Sequence, residues 1–196
     1  MKLGARIGRM RLEEGATAIR PFAAADLDEL VALRVRNRAY TEPFEPLRRD
    51  DFYTPSGQAQ EIALDDRAWS AGSGFAFAIL DVAAGDRIIG RIALSNVVRG
   101  PWRNANLGYW VDEAVRGHGH ATTAARLILG FAFGHAGLHR VQPAVMPRNA
   151  ASRRVVEKAG FRLEGRAERY LQIAGVWEDH DIYAMTAEEH PGAGLP

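Results

Sequence analysis

Alternating and helical spacings of apolar residues divide this chain into elements before composition is considered. Thr17 to Phe22 predicts a short strand ended by Pro21. Asp26 is then placed to cap a helix whose apolar face holds Leu27, Leu30, Val31 and Leu33. Arg38 to Ser56 mixes Pro, Glu, Arg and aromatics without a period, which predicts an irregular or broken helical segment over a surface. Gln58 to Gly72 predicts a helix anchored by Ile62, Leu64 and Trp69 and ended at Gly72-Ser-Gly74.

The second half is more regular. Phe75 to Val82 and Arg87 to Val97 predict an antiparallel hairpin around Ala84-Gly85-Asp86. Ala105 to Asp112 predicts a strand with Leu107, Tyr109 and Val111 on one face. A helix follows over Gly119 to Ala136, with Ala121, Ala125, Ile128, Leu129 and Ala132 at helical spacing and Gly137 as its stop. His139 to Met146 predicts a strand, and Asn149 caps a second helix that buries Val155, Val156 and Ala159 before Gly160. Arg162 to Ile173 and Val176 to Met185 predict a last pair of strands around Ala174-Gly175, and the tail beyond Glu189 is expected to fray. The order is mixed α+β in one domain, with no repeat and no linker.

Composition narrows the classes. At 196 residues with 47% hydrophobic and 25% charged content, the chain can bury a full core. It has no cysteine, which excludes disulfides, thiolate metal sites and a cysteine nucleophile. A formal net charge of +1 is too balanced for a dedicated nucleic-acid binder, so no direct nucleic-acid binding is expected. The basic start, Met1 to Leu12, lacks a signal-peptide apolar core, and the longest apolar run, Leu127 to Phe133, is far too short to span a bilayer. A cytoplasmic protein without membrane attachment is the expectation.

Local charge is uneven. From Ala114 to Val156 there is no Asp or Glu, while Arg116, Arg126, Arg140, Arg148, Arg153 and Arg154 fall there with four of the six histidines. Within it Arg116-Gly-His-Gly-His-Ala121 joins a predicted strand to a predicted helix. Small residues at such a turn leave backbone N–H groups bare at a helix N-terminus, which makes an anion site. A Walker loop would need Gly-Lys-Ser/Thr, and the only lysines are Lys2 and Lys158. A dinucleotide-binding turn would need a third glycine where Thr122 stands and an acid about twenty residues on.

The remaining scheme is Arg-x-x-Gly-x-Ala, met by Arg116, Gly119 and Ala121. It resembles the GNAT acyltransferases, and further segments resemble their RimJ/RimL branch, the RimJ side more closely. These segments are Ser95 to Gly100, Leu107 to Val111, Asn149-Ala-Ala-Ser152, Glu157 to Phe161 and Tyr170 to His180. The resemblance covers residues 16–187, between an N-terminal extension at 1–15 and a flexible tail at 188–196. It implies a GNAT fold: a strongly twisted, mixed, mostly antiparallel sheet with splayed central parallel strands flanked by helices.

The resemblance also implies a co-substrate, acetyl-CoA, and no metal. The backbone of Trp110 and Val111 would pair with its pantetheine arm. Gly117, His118, Gly119, His120, Ala121 and Thr122 would hold its pyrophosphate through their amides, with Arg116 adding charge. Asn149 and Ser152 would lie beside the thioester, Ser152 contacting the leaving sulfur. The implied acceptor is a protein N-terminus, in RimJ-like proteins the N-terminal alanine of a ribosomal protein, acetylated directly in a ternary complex. A small amine or antibiotic as acceptor, and a non-catalytic acyl-CoA sensor, are the alternatives, and a homodimer is left open.

The general base is the open position. Where RimL-type relatives carry a glutamate before the Tyr-Leu pair, this chain has Arg169. Glu168 and Glu45 are the carboxylate candidates, each also explained as a solvated surface acid. The acids from Glu42 to Asp51 suggest attraction of a cationic acceptor. His118 and His120 lack a third ligand for a metal. Asp179 and His180, neighbours on a strand, are expected to face opposite ways and make separate contacts.

Overall fold

The computed structural model describes residues 10–191. The basic stretch before residue 10 and positions 192–196 of the expected tail lie outside the described residues.

Eight strands form one sheet in the order β1-β2-β3-β4-β5-β6-β8-β7. They are β1 (Leu12–Glu14), β2 (Thr17–Arg20), β3 (Phe75–Asp81), β4 (Arg87–Val98), β5 (Asn104–Val111), β6 (Arg140–Val145), β7 (Arg162–Ile173) and β8 (Val176–Thr186). Five helices accompany them: α1 (Leu27–Arg36), α2 (Arg38–Thr41), α3 (Pro55–Ala71), α4 (His120–Gly134) and α5 (Ala150–Lys158). Only β5 and β6 run parallel, the other neighbouring pairs being antiparallel.

The β5–β6 ladder runs from Asn104 opposite Arg140 to Leu107 opposite Pro143 and stops there, although β5 continues to Val111. Pro143 has no N–H to donate, which ends the ladder on its side. Beyond it β6 stays paired on its other edge, Ala144 and Val145 with Ile182 and Asp181 of β8, while its edge toward β5 has no ladder. The two central strands therefore part, as expected for the family fold.

Alternation along β3 sorts the core into two layers. Phe75, Phe77 and Ile79 join Phe131, Ile128 and Ala132 of α4, whereas Ala78 and Leu80 join Leu30 and Leu33 of α1 and Ile62 of α3. Burial on both faces explains why β3 reads as a continuous apolar run. Trp69, at the end of α3, packs edge-on against Phe75 and Phe77 at 4.9 and 5.2 Å and donates Nε1–H to the Ala76 carbonyl.

Three expectations change. Asp26 does not cap α1 with its side chain; its carboxylate turns back to the Ala23 N–H and the Arg20 guanidinium, at 2.7 and 2.6 Å. Leu64 is 50% exposed and anchors nothing; Gln58, Ile62 and Trp69 form the buried side of α3. That helix begins earlier, with Thr54 capping the Gly57 N–H and Pro55 in the first turn. Beside these, β1, inside the stretch read as an N-terminal extension, pairs with β2 as an edge strand. No helix among the described residues is long and apolar enough to cross a membrane.

Candidate active site

Where β5 and β6 part, a cleft of about 970 Å³ opens between the Arg116–Thr122 loop and the segment around Tyr40 to Arg48. Gly108 to Val111 of β5 form its floor. Their edge toward β6 carries no ladder, so that backbone remains available to a ligand.

At one end stands the glycine loop. Gly117 and Gly119 have φ of +80° and +89°, a left-handed conformation that favours glycine, and a Cβ on either would meet open space. Helix α4 starts at His120 with no side-chain cap and no acid in its first turn. Thr123 N–H bonds back to Gly119, which leaves the N–H groups of His120, Ala121 and Thr122 without helical partners. Gly117, Gly119, Ala121 and Thr122 all line the cleft, and so does His120, whose Nδ1 also sits 2.9 Å from Thr17 Oγ1. His118 is not part of the lining. Arg116 lines it, over the Tyr40 ring at 5.2 Å and 3.5 Å from Glu113. Arg154 and Lys158 add positive charge to the wall and have no carboxylate partner among the described residues.

A buried carboxylate fixes the strand end that feeds this loop. Asp112 is 2% exposed and accepts from Arg36 at 2.6 Å, Asn37 at 3.1 Å and the Ala114 N–H, while Asn37 Oδ1 accepts the Glu113 N–H at 2.8 Å. Burial alone would raise its pKa, but these hydrogen bonds outweigh it and hold the carboxyl below its ordinary range.

Midway, Asn149 caps α5 as expected, its Oδ1 accepting the Ser152 N–H at 3.0 Å. Ser152 Oγ lies 2.8 Å from the Tyr109 hydroxyl, whose single proton is shared between that oxygen and the Ser152 carbonyl at 3.1 Å. Burial pushes the Tyr109 phenol well above its usual pKa, with the bond to Ser152 opposing, so it remains protonated. Tyr109, Asn149 and Ser152 all line the cleft. The sequence placed Tyr109 correctly on the Leu107–Val111 face, but nothing in it signalled a contact across 43 positions.

At the far end Glu45 is in the wall, with Oε1 held at 2.9 Å by Arg34. Arg34 is 6% exposed and stacks 4.0 Å over the Trp110 ring. Burial draws its pKa down from the ordinary value, and Glu45 works against that fall. The Glu45 carbonyl accepts the Ala174 N–H at 3.0 Å, and Arg148 ties Pro43 O to Glu178, so this segment is strapped to the β7–β8 turn.

Glu168 stands outside the cleft, its side chain 75% exposed beside Arg169 at 3.9 Å. Arg169 itself has φ +46°, sits in a bulge of β7 and points to solvent, its N–H bonded to Asp179. The departure at Arg169 thus falls away from the wall. Three of the four acids of the 42–51 segment are paired, Asp50 with Arg38 at 2.8 Å, Asp51 with Arg49 at 3.6 Å and Glu45 with Arg34 at 2.9 Å, and Glu42 has no basic partner among the described residues.

Comparison with known proteins converges on one family. Residues 17–162 match the model of the acetyltransferase (GNAT) domain. The chain is 40% identical over 167 residues to the probable N-acetyltransferase YjcK of Bacillus subtilis, covering 85% of this chain and 92% of that protein. It is 30% identical over 183 residues to the [ribosomal protein uS5]-alanine N-acetyltransferase of Escherichia coli, covering 93% and 94%. Among solved structures, the ribosomal-protein-S5-alanine acetyltransferase of Vibrio fischeri superposes with a TM-score of 0.85 at 29% identity, over 95% of this chain and 100% of that one. Mycobacterium smegmatis RimJ in complex with CoA-disulfide superposes with a TM-score of 0.84 at 31% identity, over 89% and 84%. With the parted strands, the glycine loop and these relatives in agreement, the chain belongs to the GNAT family of N-acetyltransferases.

Proposed function

We propose that this protein transfers the acetyl group of acetyl-CoA to the N-terminal alanine of a ribosomal protein, directly and within a ternary complex. The observation that carries this reading is the 30% identity to the uS5-alanine enzyme across 94% of that protein. The cleft fits the donor. Bare amides at the start of α4 suit a pyrophosphate, and Arg116, Arg154 and Lys158 suit further phosphate charge. The free edge from Gly108 to Val111 offers N–H and C=O groups to the amides of a pantetheine arm. The RimJ of Mycobacterium smegmatis, crystallised with CoA-disulfide, supports the same use of the fold.

Acetyl-CoA supplies an activated thioester. Ser152, held by Asn149 and Tyr109, hydrogen-bonds the departing sulfur. A thiol has a pKa of about 8.5 and is a far stronger acid than an alcohol, so Ser152 donates a hydrogen bond rather than surrendering its proton. Much of the acceleration comes from holding two substrates in one cleft. Of the acids at 42–51 only Glu42 lacks a basic partner among the described residues, a single free carboxylate rather than a cluster for a polyamine, which favours the peptide acceptor.

The test is release of CoA thiol with an alanine-starting ribosomal-protein peptide, spermidine and an aminoglycoside as acceptors. The peptide is expected to have the highest kcat/KM. A small amine turned over faster than the peptide would overturn this acceptor.

A further inference from the structure

Strand alternation on β8 separates its side chains into two sets. Asp181 and Tyr183 reach α5 and its surroundings: Asp181 Oδ2 is 4.0 Å from Arg153 and Tyr183 donates to Glu157 at 3.2 Å. His180, between Glu178 and these residues, faces the other way. On β5 the same division puts Tyr109 toward Ser152 of α5, and Trp110 against Leu30, Leu33 and Ile62 of α1 and α3. The cleft thus has Ser152 on one side and His180 on the other, and His180 shares its side with the strap that carries Glu45.

His180 is 2% exposed, and its Nδ1 is 3.0 Å from the Glu178 carbonyl. A carbonyl only accepts, so Nδ1 carries the proton and the lone pair of the neutral ring sits on Nε2. Nε2 has no hydrogen-bond partner among the described residues, and the residue forms part of the cleft wall beside Tyr170, whose ring centroid is 5.7 Å away. The carboxylates around it are committed. Glu45 is paired with Arg34, Glu178 with Arg148, Asp181 with Arg166, and Asp179 accepts the Arg169 N–H.

We propose that His180 is the general base of this enzyme, receiving the acceptor's proton at Nε2. The acceptor's ammonium gives one proton to Nε2 and becomes a nucleophile. Its nitrogen bonds to the thioester carbonyl carbon, the C–S bond breaks, and the remaining surplus proton passes from nitrogen to the departing thiolate. The imidazolium returns its proton to solvent, leaving amide, free thiol and one released proton. An α-amine of about 7.7–8.0 gives up its proton far more readily than a lysine of about 10.4, so an imidazole is a sufficient base for it.

The test compares His180→Ala and His180→Asn with the parent, on the alanine-starting peptide and on spermidine. Asn can still donate to the Glu178 carbonyl but offers no basic nitrogen, so it separates a base from a structural contact. Both variants are expected to lose roughly a hundredfold or more in kcat, with KM for acetyl-CoA unchanged, and added imidazole should restore part of the rate to His180→Ala. An Asn variant within about threefold of the parent in kcat would overturn the proposal. So would losses in both variants that rise with the KM for acetyl-CoA and ignore imidazole. The ratio of variant to parent bears on His180, whereas preference between peptide and spermidine bears on the acceptor alone.

Discussion

The hydroxyl of Tyr109 lies 2.8 Å from Ser152 Oγ, joining the floor strand of the cleft to the first turn of α5. In the proposed mechanism this bond orients the serine toward the donor thioester. Tyr109→Phe is therefore expected to lower kcat about threefold to tenfold, the worth of one hydrogen bond, while KM for acetyl-CoA holds. In a Ser152→Ala background the same substitution should have little further effect. Equal losses in both backgrounds, measured by thiol release, would separate Tyr109 from Ser152.

The same phenol predicts a pH effect on stability. Its folded pKa is raised by burial, so the folded state keeps a proton that the unfolded chain loses near pH 10. Its contribution is full below the unfolded value and is lost as pH rises toward the folded one. Thermal melts of the parent should fall relative to Tyr109→Phe above about pH 10. Parallel curves across that range would contradict the assignment.

Asp112 gives the opposite sign. Its folded pKa is depressed, so its contribution is present above the ordinary carboxylate value of about 3.9 and is lost as pH falls through the lower folded value. Asp112→Ala removes the acceptor for Arg36, Asn37 and the Ala114 N–H, and about 2–3 kcal/mol of stability is expected to go with it. CoA affinity should fall too, because the glycine loop follows directly. Denaturant unfolding and calorimetric titration with CoA check the two halves separately.

Glu45 tests the division of labour in the wall. Glu45→Ala leaves the Arg34 guanidinium buried without its partner and should cost about 3 kcal/mol. The folded variant should retain a kcat close to the parent's. A collapse of kcat without loss of stability would return Glu45 to the role of base.

The frame of this site was legible because it rests on local patterns. Glycines before a helical run, an Asn at the start of α5 and alternating apolar residues on β5 each report on a few neighbouring positions. What escaped depends on distant segments meeting. Tyr109 and Ser152 come together only because β5 and α5 flank the strand split. Arg34 lies in an amphipathic helix where an arginine reads as solvent-facing, yet it is buried by stacking on Trp110 and pairing with Glu45. In β7 the bulge between Ala167 and Leu171, with Arg169 at positive φ, breaks the two-residue alternation by which a strand's side chains are assigned to its faces. Edge strand β1 has three residues, too few to show a period.

Acetylation by the parent protein of a peptide that carries both an N-terminal alanine and an internal lysine, located by tandem mass spectrometry, tests the proposed activity most directly. The acetyl group is expected on the α-amine alone. Acetylation of the lysine, or no modification of the peptide while spermidine is acetylated, would contradict it.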